Sequence, residues 1–188
     1  MKLVVGLGNP GSEYENTRHN IGYMFLNYIT DEKKFKLNKK FNAMEYETII
    51  DNEKVLFIKP LTFMNSSGDA VVKYVNFYKL TLDDVLIIQD DLDMPLGKYK
   101  LLFNHGDGGH NGIKNIILNL GSREFLRLKI GISRADINTK DYVLGKFTKE
   151  ESKIVDETFK KFDCFINDYM KLNRDILMGK YNVKEKEI

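Results

Sequence analysis

The sequence predicts a single α/β domain with a mixed central β-sheet flanked by helices. Two short, continuous apolar runs, at residues 3–7 and 85–89, have the composition of strands buried on both faces. Segments with apolar side chains at helical spacing lie between and after them. The length of 188 residues fits one domain with a single sizeable core, and the chain shows no repeat or linker. We therefore expect one domain over 1–188, with a frayed tail from about 183.

The remaining elements follow in order along the chain. After the first strand, Thr17 is expected to cap a helix over about 18–30, where apolar positions recur at helical spacing. Further strands are predicted at 44–50, 54–59, 98–103 and 126–132, and further helices at about 66–78, 113–120 and 149–172. The last of these has apolar residues spaced alternately by four and three, which predicts one amphipathic helix. Cys164 falls inside it and is expected to pack half-buried.

Composition excludes several classes of protein. A single cysteine excludes an intramolecular disulfide and any multi-cysteine metal site. No run of about 18 apolar residues occurs, so we expect no membrane span and a reducing, cytoplasmic setting. The net charge of +2 conceals an uneven distribution, because residues 96–134 contain seven basic and only two acidic side chains. That excess indicates a phosphate-facing side, although a lysine-rich solvated surface explains it equally well.

A glycine motif follows the first strand. Gly6, Gly8 and Gly11 match the G-x-G-x-x-G pattern of dinucleotide-binding proteins. That pattern needs a helix to begin at the glycines, whereas Pro10 and further polar residues intervene here. Residues 31–40 are also too charged to form the second buried strand. A nicotinamide-dependent oxidoreductase is therefore disfavoured, and no cofactor is expected.

Histidines are the next candidates for chemistry. His105, Asp107 and His110 have the residue types of a metal site, but they lie in a loop without a helix or strand to hold them. We predict no metal and a solvent-facing His105. His19 stands at the start of the first predicted helix, where the helix N-terminus disfavours imidazolium. We expect His19 to stay neutral at pH 7 and to be competent as a base, while a purely structural histidine fits this position equally well.

The chain has no G-x-S-x-G nucleophile motif. A hydrolase of this composition would therefore need a water activated by a histidine, a carboxylate that orients the histidine, and neutral amides that hold the scissile carbonyl. His19, Asp90 and the asparagines Asn9, Asn65 and Asn111 are the candidates. Asp90 follows directly on a buried strand, where open α/β sheets bind ligands. A solvated acidic turn is the alternative explanation for that stretch.

Taken together, these stretches resemble the bacterial-type peptidyl-tRNA hydrolase family. The resemblance rests on VVGLGNPG at 4–11, Tyr14, TRHNIG at 17–22, KPLTFMNSSG at 59–68, DDLDMPLG at 90–97, GGHNGIK at 108–114, LKIGI at 128–132 and YVLGKF at 142–147. Order and spacing agree from residue 1 to about 150. Several separate motifs in one order are far more specific than any one of them alone.

The resemblance implies an activity and a set of roles. The family cleaves the ester that joins a peptide to the 3′ end of tRNA, without a metal or organic cofactor. It implies that His19 is the base that activates water, that Asp90 hydrogen-bonds it, and that Asn111 positions the water or stabilises the oxyanion. Residues implied to contact the substrate are Asn9, Tyr14, Met64, Asn65 and His110. A cytoplasmic monomer whose partner is peptidyl-tRNA is expected.

The departures from the family pattern lie on the tRNA side. The basic residue that usually precedes the glycine-rich loop is Leu102 here, and the arginine of the later strand is Lys129. Lysine keeps the charge but loses the bidentate fork of arginine. The usual glycine-arginine-proline after residue 132 is Ser133-Arg134-Ala135. We expect intact chemistry, with phosphate binding redistributed onto Lys100, Lys114 and Lys129.

One alternative of a different class remains open at this point. A catalytically silent relative would use the same fold as an RNA-binding module. Loss of His19, Asp90 or Asn111 would favour it, and all three residues are present.

Overall fold

The computed structural model describes residues 1–182 and contains one seven-stranded sheet. Numbered along the chain, its strands lie side by side in the order β2-β3-β4-β1-β5-β7-β6. The strands are β1 (Lys2–Gly6), β2 (Lys36–Asn38), β3 (Ala43–Ile50), β4 (Glu53–Pro60), β5 (Val85–Asp91), β6 (Tyr99–Phe103) and β7 (Leu126–Gly131). The four central strands β4, β1, β5 and β7 are parallel; β3 and β6 pair antiparallel with β4 and β7, and β2 pairs antiparallel with β3. The predicted mixed α/β sheet is confirmed.

Helices cover both faces of this sheet. They are α1 (Ile21–Ile29), α2 (Ser67–Phe77), α3 (Asn111–Leu120), α4 (Thr139–Val143), α5 (Lys149–Lys160), α6 (Phe165–Lys171) and α7 (Arg174–Tyr181). The core divides into two clusters accordingly. α2 and α3 pack on one face, and α1, α5, α6 and α7 contribute to the cluster on the other.

Strand β5 shows why its sequence is a continuous apolar run. Val85 and Ile87 belong to the cluster under α2 and α3, whereas Leu86 and Ile88 belong to the cluster under α1. Alternate side chains of a strand point to opposite faces, so a strand covered on both faces needs apolar residues throughout. The strand continues two residues beyond its predicted end, so that Asp90 and Asp91 are still part of it.

Two glycines bring α1 directly onto the sheet. A Cβ on Gly22 would lie 2.5 Å from the carbonyl oxygen of Ile88, and a Cβ on Gly6 would lie 2.4 Å from that of Gly22. Gly6, the first glycine of the G-x-G-x-x-G match, therefore serves helix packing. This agrees with the exclusion of a dinucleotide-binding site. The close approach also carries His19, in the 3₁₀ turn Arg18–Asn20 that leads into α1, over the carboxyl end of β5.

The carboxyl-terminal helices correct two predictions. The single helix expected over 149–172 is broken into α5 and α6, and α7 was not predicted. Phe162 and Phe165 are both fully buried with their rings against Phe25, and residues 161–164 form the turn between the two helices. Cys164 lies in this turn and is exposed, so the expected half-buried packing role is wrong.

Smaller boundaries also differ. Thr17 precedes the 3₁₀ turn Arg18–Asn20 and not α1, and its side chain makes no capping hydrogen bond there; its hydroxyl donates to the carbonyl of Tyr14. Helix α3 begins at Asn111, two residues earlier than predicted. The charged segment 31–40 contains the short, largely exposed edge strand β2. The frayed tail expected from about 183 lies outside the described residues, and one domain over all 188 residues stays a prediction. Within residues 1–182, no helix combines the length and apolarity needed to cross a membrane.

Candidate active site

A cavity of about 870 Å³ opens at the carboxyl edge of the parallel strands. The chain leaves β1 toward one side of the sheet and β5 toward the other, so this edge contains a topological switch point, where α/β sheets place their ligands. Nine of the sequence-predicted residues line the cavity: Asn9, Tyr14, His19, Met64, Asn65, Asp90, His110, Asn111 and Lys129. Its volume lies within the range of about 300–1,000 Å³ that is typical of ligand sites.

His19 and Asp90 form a hydrogen-bonded pair in this cavity. Nδ1 of His19 lies 3.0 Å and 2.9 Å from the two carboxylate oxygens of Asp90. An ionised carboxylate only accepts hydrogen bonds, so Nδ1 carries the proton and donates. The lone pair of neutral His19 is consequently on Nε2. Asp90 is only 2% exposed, so its orientation is fixed by burial as well as by its partners.

His110 uses both of its ring nitrogens. Nε2 donates to Oδ1 of Asp90 at 2.8 Å, and Nδ1 accepts the backbone N–H of Ile113 at 3.3 Å as the cap of α3. A nitrogen that accepts a hydrogen bond carries no proton, so the proton of this arrangement is on Nε2. His110 therefore holds the Asp90 carboxylate at Oδ1, an oxygen that His19 also contacts.

The contact between His19 and Asp90 shifts the pKa values of the two groups in opposite directions. Burial lowers the pKa of His19, but the Asp90 carboxylate raises it by its charge and its hydrogen bond, and the net direction is upward. Burial raises the pKa of Asp90, yet its contacts with the two histidines outweigh burial and hold the pKa far below its ordinary value. The sequence pointed to a helix N-terminus that disfavours imidazolium, whereas the dominant neighbouring charge is that of Asp90, which favours it. That His19 is neutral at pH 7 stays a prediction.

Asn9 is held in place by a residue that sequence reasoning missed. The side chain of Asn20 accepts the backbone N–H of Asn9 at 2.8 Å and donates to its carbonyl at 2.9 Å. The backbone N–H of Met64 then donates to Oδ1 of Asn9 at 2.7 Å. Asn20 is 3% exposed and adjoins His19 in sequence, which was the one available signal.

Phe63 is a second residue that the sequence did not single out. It lines the cavity, is 54% exposed, and its ring meets that of Tyr14 edge-on at 6.3 Å. Its backbone has φ 58° and ψ 159°, a conformation that residues other than glycine rarely adopt. Nothing in the local sequence indicated this strained conformation.

The predicted phosphate-binding lysines are only partly gathered at the cavity. Lys129 lines it and forms an ion pair with Asp91. Lys100 lies directly across from Lys129 in the β6–β7 pairing and on the same face, but it does not line the cavity, and neither does Lys114 on the exposed side of α3. Leu102 is buried in β6 and does not line the cavity.

Metal-binding potential lies elsewhere than the sequence suggested. Among residues 1–182, the ligand-type atoms that gather are those of His19, Asp90 and His110, within 4.8 Å of one another. They have the donor types that a zinc-like ion accepts. His105 is exposed and takes no part in this group. That the chain works without a metal stays a prediction.

Fold and site define an α/β protein with a histidine–aspartate pair and several neutral amides in one cleft at a switch point of the sheet. A family model described as "Peptidyl-tRNA hydrolase" matches residues 3–188. Over 187 aligned residues, the peptidyl-tRNA hydrolase of Mycoplasma capricolum is 43% identical, covering 97% of this chain and all of that protein. The corresponding protein of Fusobacterium nucleatum is 45% identical, covering all of this chain and 99% of its own.

A solved structure agrees with these relatives. The crystal structure of peptidyl-tRNA hydrolase from Acinetobacter baumannii superposes with a TM-score of 0.91 at 33% identity, covering 98% of this chain and 96% of that one. The chain belongs to the peptidyl-tRNA hydrolase family.

Proposed function

We propose that this protein hydrolyses the ester bond between the peptide and the 3′ end of tRNA in peptidyl-tRNA. The observation that carries the proposal is the Nδ1-protonated His19 on the buried Asp90, in the cleft of a chain that matches the family over almost its whole length. A catalytically silent RNA-binding module is not favoured by this combination.

His19 is the proposed general base. Its Nε2 takes a proton from a water molecule as the water oxygen attacks the ester carbonyl carbon. The same proton then passes from Nε2 to the 3′-oxygen of tRNA when the tetrahedral intermediate collapses. The products are a free peptide carboxylate and a tRNA with its 3′-hydroxyl restored. Asp90 keeps the tautomer and stabilises the imidazolium that forms between the two steps.

Neutral amides are proposed to bind the reacting ester. Asn111 opens α3 and lines the cavity, which supports a role in positioning the water or stabilising the oxyanion. Since Oδ1 of Asn9 already accepts from Met64, its NH₂ group is the end that remains for the substrate. Asn65 adds a second amide in the same wall. A neutral amide offers donor and acceptor without repelling an anionic tRNA end.

Basic side chains beside the cavity are proposed to bind the tRNA phosphates. Lys129 and Lys100 oppose each other across two strands, so a phosphate between them would relieve their mutual repulsion. Lys114 lies one turn beyond Asn111 on α3 and extends the same basic region. Tyr14, Met64 and His110 complete the proposed substrate contacts.

We further propose that the enzyme works as a monomer in the cytoplasm and without a metal. The family resemblance supports all three, and a single cysteine fits a reducing compartment.

The activity is tested with N-acetyl-aminoacyl-tRNA in the presence of a chelator, with unblocked aminoacyl-tRNA as the matched substrate. We expect release of the acetylated amino acid and much slower cleavage of the unblocked ester. Absence of cleavage, with tRNA still bound, would contradict the proposal and support the silent binding module.

A further inference from the structure

Arg18 connects the turn that carries His19 to α4 and to the start of α5. One of its terminal nitrogens, Nη2, lies 3.1 Å and 2.8 Å from the two carboxylate oxygens of Glu151 in the first turn of α5. Nη1 donates to the carbonyl of Tyr142 at 3.3 Å, and the guanidinium lies 4.3 Å from the centre of the Tyr142 ring. Arg18 is 9% exposed, an unusual degree of burial for an arginine.

The tethered segment forms one wall of the cavity. We call residues 138–147, which include α4, the wall segment. Five of its residues line the cavity: Asn138, Thr139, Lys140, Val143 and Leu144. Asn138, Thr139 and Lys140 are exposed, whereas Tyr142, Val143 and Phe147 belong to the core cluster on the α1 face of the sheet. The hydroxyl of Tyr142 also donates to the carbonyl of Ile132 at 2.6 Å. The core thus anchors one end of the wall segment, and further contacts at that end join it to the turn that carries His19.

Those contacts converge on the turn with Arg18. The backbone N–H of Arg18 donates to the carbonyl of Gly145 at 3.0 Å, and Thr17 forms an isolated bridge with Lys146. A Cβ on Gly145 would lie 2.7 Å from Nη1 of Arg18, so the wall comes as close to the guanidinium as a glycine permits. Arginine suits this place because its planar fork serves Glu151 and a carbonyl at once.

We propose that Arg18 is a positioning residue, which sets the distance between His19 and the wall segment through its ion pair with Glu151. The proposal rests on the proposed hydrolase function. His19 contacts the reacting ester while the wall contacts the bound remainder of the substrate. Loss of the tether therefore weakens substrate binding more than the chemical step.

The test compares Arg18→Gln, Glu151→Gln and the double variant. Glutamine at 151 can still serve the capping box with Thr148, so that variant removes the charge and leaves the helix start intact. We expect KM to rise about tenfold in either single variant, with kcat within about twofold of wild type. The double variant should be no worse than the singles, because all three lose the same interaction. Arg18→Lys should recover part of the change.

Amide hydrogen exchange supplies a readout that does not need activity. Exchange should accelerate in the wall segment of each variant and remain unchanged in α7. Glu157→Gln is the matched control, since Glu157 lies on the same helix in an exposed ion pair with Lys160. If Arg18→Gln does not fold, Gly145→Ala perturbs the guanidinium from the other side.

Any of three results would overturn the proposal: a fall in kcat at constant KM, additive effects in the double variant, or unchanged exchange in the wall segment. Failure of the wild type to cleave would instead contradict the proposed function, and the exchange measurement would still decide whether the tether exists.

Discussion

His19 and His110 meet on one carboxylate, with ring centres 5.2 Å apart and both rings hydrogen-bonded to Asp90. Nδ1 of His110 accepts a hydrogen bond from the backbone N–H of Ile113, whereas Nε2 of His19 remains available to the cavity. Only His19 can therefore exchange a proton without breaking an existing hydrogen bond. The two histidines have different roles although both contact the same group.

The pH dependence of turnover should report this arrangement. The neutral form of His19 is the base, and Asp90 raises the pKa of His19 above its ordinary value of about 6.5. Activity should accordingly fall as the pH drops through that raised pKa. In Asp90→Asn the raising contribution is lost and burial still lowers the pKa, so the acid limb of kcat should move to lower pH. Plots of kcat against pH for both proteins check the direction.

Asp90→Asn should also lower kcat more than it raises KM, because the fold is kept while His19 loses its orientation. Unaltered turnover in this variant would transfer the orienting role to Asp91 or Asp93.

Asn20→Ala should destabilise the protein and weaken substrate binding together. The substitution leaves the buried N–H and carbonyl of Asn9 without their partners, which costs about 1–3 kcal/mol of unfolding free energy. Urea denaturation measures the loss, and KM should rise because Asn9 is no longer held. Asn76→Ala, at an exposed position of α2, is the control and should stay within about 0.5 kcal/mol of wild type. Equal stability of the two variants would refute the bracing role.

Two substitutions of Phe63, by glycine and by alanine, should weaken substrate binding alike but differ in stability. Phe63→Gly and Phe63→Ala both remove the ring from the cavity, so both should raise KM. Glycine also tolerates φ 58° and ψ 159°, so the glycine variant should be the more stable of the two by about 1 kcal/mol. Thermal and urea unfolding compare the pair. A more stable alanine variant would show that the backbone at this position stores no strain.

Lys129→Ala should weaken tRNA binding and reduce its dependence on salt. A lost phosphate contact lowers the slope of log affinity against log salt concentration by about one. Lys54→Ala, in the β3–β4 hairpin where Lys54 pairs with Glu47, provides the control and should leave the slope unchanged. If the slope is the same for wild type and Lys129→Ala, phosphate binding does not involve this lysine.

The sequence anticipated those parts of the structure that depend on local patterns. The burial of β5 on both faces and the position of Asp90 at its end followed from one apolar run. The break between α5 and α6 could not be foreseen, because the apolar spacing continues through Phe162 and Ile166 as if the helix did too. The turn at 161–164 contains neither glycine nor proline, so no helix-breaking residue marks it in the sequence.

The same distinction applies to the site. His19, Asp90 and the three asparagines were found because their residue types suit the chemistry and because motifs placed them at the ends of elements. Asn20 and Arg18 were missed, since their roles arise from partners 11 and 133 positions away in the chain. The upward direction of the His19 pKa was missed for a similar reason: it depends on a carboxylate 71 positions distant.

The most direct test of the central claim is cleavage of N-acetyl-aminoacyl-tRNA by wild type and by His19→Ala, with a chelator in both reactions. We predict cleavage by the wild type, a fall in kcat of about 10²- to 10⁴-fold in the variant, and tRNA binding retained by both. Comparable cleavage by the two proteins would contradict the assignment of His19 as the base.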